Sequence, residues 1–251
     1  MSNRIIIVAL FSLISNLASA QVSKKEYQVI ISKFIAEIKN GEQEKIANRS
    51  NFPFFREYPI PKIKSKQEFI KRYNDIFDDN LKMMIIKSNP ATNWSDVGWR
   101  GLMLNQGDVW LEYDGSLACV NYQSKSEADL QSHLIENDKK NIHLSLSHYK
   151  RPVCILETSI YRIRIDDLGN ENYRYACWAI NKSQKDKPDL ILDKGVHNVE
   201  GSAANSVFKF QNGEYVYECF IEALGDKPPA SLTVYKGDKE ILSQSARIII
   251  K

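Results

Sequence analysis

The side chains best placed to do chemistry lie between Asn93 and Tyr122. Trp94, Trp99 and Trp110, three of the four tryptophans, are interleaved there with Asp96, Arg100, Asn105, Asp108, Glu112 and Asp114. A carboxylate buried beside indole rings is disfavoured in its charged form, so its pKa rises and it can serve as a general acid or base. Asp96, Asp108 and Glu112 are the candidates for that role, with Arg100 to hold a substrate. The same residue types also make a binding face, in which rings supply contact area and flanking polar groups supply orientation. On that reading Trp94, Trp99, Arg100 and Trp110 bind a ligand, joined by Phe55 and Tyr58 from an upstream loop. Asp108 and Asp114 are, in addition, residues that turns favour for their own backbone.

Other chemistries find little footing. There is no Gly-x-Ser-x-Gly elbow and no cysteine in a protease-like context. His133, His143 and His148 lack His-x-x-x-His spacing and a Cys-x-x-Cys partner, so no metal centre is expected. Asp75, Asp78 and Asp79 lack the glycine and terminal glutamate of a calcium loop. No glycine-rich phosphate loop is present, and no cofactor is expected.

The elements that position these residues can be read from pattern. Ser23-Lys24-Lys25-Glu26 and Ser65-Lys66-Gln67-Glu68 have the form of capping boxes. The first precedes a stripe of Tyr27, Ile30, Ile31, Phe34, Ile35 and Ile38, which predicts an amphipathic helix ended by Asn40-Gly41. The second precedes Phe69, Ile70, Tyr73, Ile76 and Phe77, and Asp78-Asp79-Asn80 then caps a short third helix over 81–87. Between them, prolines at 53, 59 and 61 forbid a helix. The aromatics of that stretch predict a packed loop in which Phe54, Phe55, Arg56 and Tyr58 either cover the core or line a pocket mouth. Turn signals at 105–108 and 114–115 divide the tryptophan-rich run into strands over 99–104, 109–113 and 116–122.

Residues 124–140 are polar, with Leu130, Leu134 and Ile135 at helical spacing, and predict a short helix within a connection. Beyond Asn141 strand-like runs follow at 142–148, 153–164, 172–180, 189–199, 205–211, 214–223, 231–236 and 240–250, the pattern of a β-sandwich or open barrel. The chain is therefore α+β: N-terminal helices on a small antiparallel sheet over 21–125, a linker over 126–140 and an all-β half over 141–251. Tyr173-x-Tyr175-x-Cys177 and Tyr215-x-Tyr217-x-Cys219 each place two tyrosines and a cysteine on one strand face. Cys177 and Cys219 are the candidate disulfide, closing a loop of about 40 residues. Cys119 and Cys154 are either its complement or free thiols.

Residues 1–20 read as an export signal, with Arg4 in the positive region, 5–14 apolar, and Ala18-Ser19-Ala20 as the cleavage pattern. This places the mature chain in the periplasm or outside the cell, where disulfides are allowed. The 34 basic and 31 acidic residues give a net charge of +3, or +2 without Arg4. That charge does not point to nucleic acid. No later stretch is long and apolar enough to predict a transmembrane segment in the mature chain.

Two capped helices, an aromatic proline-bearing loop and a meander over 94–122 resemble the element order of the NTF2-like and SnoaL-like cone folds across residues 22–123. The resemblance implies a concavity and, in that group, either an enzyme or a binding or immunity domain. Lys187-Pro188-Asp189-Leu190-Ile191-Leu192 and Leu232-Thr233-Val234-Tyr235-Lys236 look similar to C-terminal halves of uncharacterised exported bacterial proteins. The expectation is an exported, non-catalytic protein that binds a protein partner, as an inhibitor or immunity protein does, or else a cell-wall glycan. The alternative is a small-molecule enzyme of the cone-fold type, with a general base among Asp96, Asp108 and Glu112.

Overall fold

The computed structural model describes residues 24–201, 205–223 and 229–250, so Ser23 and the segment 1–20 read as an export signal lie outside the described residues. Its first half packs four helices, α1 (Lys24–Lys39), α2 (Gln43–Asn48), α3 (Lys66–Ile76) and α4 (Asp79–Lys87), on a four-stranded antiparallel sheet. The strands are β1 (Trp94–Asp96), β2 (Leu102–Leu104), β3 (Val109–Leu111) and β4 (Leu117–Val120), in that spatial order. The stripe expected on α1 is the buried face: Ile31, Phe34 and Ile38 join Phe69, Phe77, Leu81 and Ile85 in one core. Leu102, Leu104, Val109, Leu111, Leu117 and Val120 close that core from the sheet side. Ser65 accepts the Glu68 N–H at 3.3 Å and Asp78 accepts the Leu81 N–H at 2.9 Å, so α3 and α4 begin where side-chain caps satisfy their orphan donors.

Helix α5 (Lys125–Lys139) follows, and then a segment with a 3-10 turn at Leu144–Leu146. The second half is an eight-stranded antiparallel barrel: β5 (Arg151–Glu157), β6 (Tyr161–Gly169), β7 (Asn172–Ala179), β8 (Leu190–Glu200), β9 (Asn205–Asn212), β10 (Tyr215–Ile221), β11 (Ala230–Lys236) and β12 (Lys239–Ile250). Pairing of β12 with β5 closes it, so the all-β half is a closed barrel rather than an open one. Inward residues including Leu156, Ile163, Ile165, Phe208, Phe210 and Leu232 fill it, as expected for a barrel of this strand number. Strand β8 turns the corner from β7 to β9 at Lys194-Gly195. A Cβ on Gly195 would lie 2.1 Å from the Phe210 ring, so the ring packs where only glycine leaves room.

Four expectations are corrected. Residues 142–148 form no strand; Ile142, Leu146 and Tyr149 instead lie over the outer face of β7, against Ala176 and Trp178. The run 153–164 is two strands, because Thr158 Oγ1 accepts the Tyr161 N–H at 2.9 Å and reverses the chain. Trp99 lies in a 3-10 turn over Gly98–Arg100, ahead of the strand assigned to it.

The disulfide is absent: none of the four cysteines is bridged to another. Cys177 and Cys219 do share the barrel interior, but β7 and β10 are separated by β8 and β9. The rings of Tyr175 and Tyr217, 5.7 Å apart, make the contact across the lumen. Cys119 is half-buried on the far face of the small sheet, and Cys154 lies inside the barrel.

The polar connection is a strut tied at both ends. At its start, the Glu127 carboxylate, wholly buried, accepts from Arg56 Nε at 2.8 Å and pairs with Arg56 Nη2. Arg56 also donates to the carbonyls of Val120 and Tyr122 at the end of β4. At its other end, Asp138 accepts from Tyr149 Oη at 2.6 Å and from Arg164 on β6. Arg164 in turn holds Asp166 at 2.7 Å, and Arg174 Nη2 reaches the other Asp166 oxygen at 2.6 Å. A further pair, Glu57 with Arg151 at 2.8 Å, crosses between the halves at the surface.

Removing one member of a buried pair strands the other charge, at about 3–5 kcal/mol. Glu127→Ala is expected to lower the urea unfolding free energy by about that much, while Glu136→Ala, on the exposed face of α5, should move it by no more than about 0.5 kcal/mol. Equal effects of the two would show that Glu127 does not anchor the strut.

Candidate functional site

The small sheet separates residues that sequence placed together. Trp94 pairs with Leu104 and faces the helices; its ring meets Phe34 edge-on and its Nε1 donates to Ser88 Oγ at 2.9 Å. Trp110 pairs with Met103 and Cys119, on the opposite face. The Arg100 guanidinium stacks 5.9 Å from the Trp110 ring. Trp99 packs against neither; 67% of its surface is exposed.

The candidate carboxylates do not converge. Asp108 lies in the β2–β3 turn, where Asn105 Nδ2 donates to it at 2.9 Å. Glu112, four residues further along a strand, is about 13 Å away at the usual rise, and its N–H closes the next turn on the Ser116 carbonyl. Asp114 accepts from the Ser116 N–H at 2.8 Å and from the Ser116 hydroxyl, as turn-forming aspartates do.

Asp96, at the end of β1, holds the loop that follows. Its Oδ1 accepts from the Gly98 N–H at 3.0 Å and from the Tyr113 hydroxyl at 2.5 Å. Tyr113 Oη also lies 2.6 Å from the Gly98 carbonyl, and its ring stacks on Tyr27 of α1 at 5.2 Å. The loop closes on itself through Val97 N–H to Gly101 O and Gly101 N–H to Gly98 O, each 2.9 Å. Gly101 has a φ of 89°, and a Cβ there would lie 2.3 Å from the Leu111 carbonyl oxygen, so the close return of the chain requires glycine. Residues 97–101 thus form a knuckle, fastened at both ends, that carries Trp99 and Arg100 outward.

This geometry reverses the electrostatic expectation for Asp96. The Tyr113 hydrogen bond, above all, holds its carboxyl below the ordinary 3.8; burial opposes it, and the Gly98 N–H and the Tyr27 hydroxyl add smaller lowering contributions. An acid held ionised in this way is a poor proton donor and a weak base. Tyr113 responds oppositely: burial, then Asp96, push its phenol up.

Beside the knuckle, a cleft of about 360 Å³ opens between α1 and β1. Tyr27, Ile31, Trp94 and Leu102 form its apolar walls, and Gln28, Ser95 and Asp96 supply polar groups. Tyr27 and Gln28 could not be assigned to the site from sequence, because a helix stripe reads equally well as core.

Phe55 and Tyr58 lie elsewhere. Phe55 is 63% exposed with Lys62 Nζ 5.8 Å from its ring. Tyr58 lies near Asp138 and Arg164 at the joint between the halves, where burial first and the Asp138 charge second push its phenol up to about 12. Phe54 is core, and Arg56 belongs to the strut rather than to a pocket mouth. Among the described residues, no three His, Cys, Asp or Glu side chains gather within reach of a metal ion, and no helix is long and apolar enough to cross a membrane.

Comparison with known families, curated proteins and solved structures finds no match to this chain, so its site is read from geometry alone.

The Asp96 titration is directly observable. A folded pKa below the unfolded value means that the carboxylate stabilises the knuckle above the unfolded pKa, and that this contribution is lost as pH falls through the folded one. The Gly98 amide shift, followed by NMR, is expected to titrate below pH 3.8 in the native protein and closer to 3.8 in Tyr113→Phe. The same midpoint in both proteins would remove Tyr113 as the cause.

Proposed function

We propose that this is an exported binding protein that engages a protein partner through the knuckle of residues 97–101, and that the 94–122 sheet is a scaffold rather than a catalytic centre. The observation that carries the reading is Trp99: an indole left 67% exposed on a turn fixed at both ends by hydrogen bonds. An exposed indole confers no stability on the free fold. Covering roughly 150 Å² of it at about 25 cal/mol per Å² gives about 4 kcal/mol, enough for an interface hot spot. A turn already rigid loses little conformational freedom on docking, so more of that gain becomes affinity. Arg100, stacked on Trp110, adds a guanidinium beside the indole, and tryptophan and arginine are the residues most enriched at such centres.

The export pattern of residues 1–20 supports a periplasmic or extracellular partner, and the NTF2-like resemblance of residues 22–123 implies a concave binding face. A catalytic reading with a carboxylate base is disfavoured by the separation of Asp108 from Glu112 and by the depressed pKa of Asp96. A cell-wall glycan is the second class of ligand, since exposed indoles also stack on sugars.

The discriminating experiment immobilises the wild-type protein, Trp99→Ala and Arg100→Ala, and exposes each to the exported fraction of the native cell. A stoichiometric protein retained by the wild type and weakened at least about tenfold by either substitution is expected, since hot-spot truncations cost about 2 kcal/mol or more. Unfolding midpoints should not change. Retention indifferent to both substitutions would overturn the reading; retention of glycan fragments alone would replace the protein partner with the second class.

A further inference from the structure

We propose that the cleft between α1 and β1 is a second binding site, selective for a small organic cation: an ammonium group carried on a flat apolar body. The volume, about 360 Å³, corresponds to roughly a dozen waters at about 30 Å³ each and falls at the small end of ligand pockets. The site would therefore take one ring with a short side chain. The apolar lining is narrow, because Tyr27, Ile31, Trp94 and Leu102, on facing elements, each keep no more than 9% of their surface exposed, which suits a flat body.

The selection for charge rests on Asp96. It is the one charged side chain among the described residues that line the cleft. Its hydrogen bonds come from the Tyr113 and Tyr27 phenols and the Gly98 backbone amide, all neutral donors. None of the ion pairs formed by the described residues includes it. A carboxylate held only by neutral donors beside an aromatic-lined cleft attracts a cation. Gln28 and Ser95 provide acceptors for the remaining ammonium protons. Among the described residues that line the cleft there is no lysine or arginine to meet an anionic ligand.

The site is separate from the protein-binding surface, although Asp96 serves both. The cleft lies on the helix side of β1, while Trp99 and Arg100 project from the knuckle beyond it. This separates the tests of the two proposals.

The probes are phenethylammonium, its neutral analogue phenethyl alcohol, and the anion phenylacetate, each titrated into the full-length protein and followed by calorimetry and by the Trp94 indole N–H signal. Saturable one-site binding of phenethylammonium is expected, with the alcohol at least about tenfold weaker, the worth of one charged hydrogen bond, and no binding of phenylacetate. Asp96→Asn should weaken the ammonium by about the same factor. Ala91→Trp, which fills the cleft from an exposed loop position, should abolish binding while leaving the unfolding midpoint and the Trp99-dependent retention of a protein partner unchanged. Equal affinity for ammonium and alcohol, ammonium binding that survives Ala91→Trp, or no saturable ammonium binding would each overturn the proposal. Because Ala91→Trp spares the knuckle, failure here leaves the protein-binding reading to be judged separately.

Discussion

The buried carboxylate of Glu127 under Arg56 is the interaction on which the two halves depend. A charge this deep is tolerated only when it is paired and hydrogen-bonded. Arg56 reaches in from the proline-rich loop to donate to the carboxylate, the Arg72 guanidinium on α3 lies 3.7 Å away as a second opposite charge, and Ser124 caps the helix by accepting the Glu127 N–H at 3.1 Å. Arg56 then spends its remaining donors on the last carbonyls of β4. One ion pair thereby fixes the loop, the sheet edge and the first turn of α5. At the other end of the helix, Asp138 is bound to Tyr149 and Arg164, and through Arg164 to the Asp166–Arg174 pair on the barrel's outer face. What composition marks as a solvated connection is a helix that holds its orientation through buried charge at both ends.

With the sheet held, its two faces take different work. The helix-side face buries Trp94, Leu102, Leu104 and Leu111, and the far face carries Trp110 under Arg100. At the edge where β1 ends and α1 begins, Tyr113 and Asp96 fix the knuckle, while Tyr27 and Trp94, at the margin of the helix-side core, wall the cleft. In the barrel, inward tyrosines, phenylalanines and cysteines fill the lumen, and burial pushes the Cys177 and Cys219 thiols up, away from reactivity.

Much of this was legible, and the failures have physical causes. The α1 stripe and the Ser65 and Asp78 caps are local signals, so the helices over 24–39, 66–76 and 79–87 could be read directly. Most barrel strands could be read the same way, and the inward faces of the two Tyr-x-Tyr-x-Cys triplets follow from period alone. Helix α2 was hidden by its length of 6 residues, and β1 by its 3. Thr158-Ser159-Ile160 gave no glycine or proline to mark its turn; a threonine followed by a serine inside an apolar run was the available signal. Ser124-Lys125-Ser126-Glu127 has the form of the two capping boxes noted upstream and marks the start of α5. Arg164, Asp166 and Arg174 alternate with apolar residues and so read as a solvated strand face. Only the long-range docking of residues 125–149 reveals that face as buried. The site suffered from the opposite error: three tryptophans close in sequence were treated as one cluster, though a sheet sends neighbours to opposite faces.

The central claim is that Trp99 is displayed by a turn already rigid in the free protein. Amide hydrogen exchange at Val97, Gly98 and Gly101 tests it most directly, because all three N–H groups are donors in the knuckle. Protection comparable to that of Met103 on the adjacent strand is expected, falling at Gly98 when Tyr113 is replaced by phenylalanine. Exchange at the rate of an unstructured chain at all three positions would contradict a preorganised knuckle.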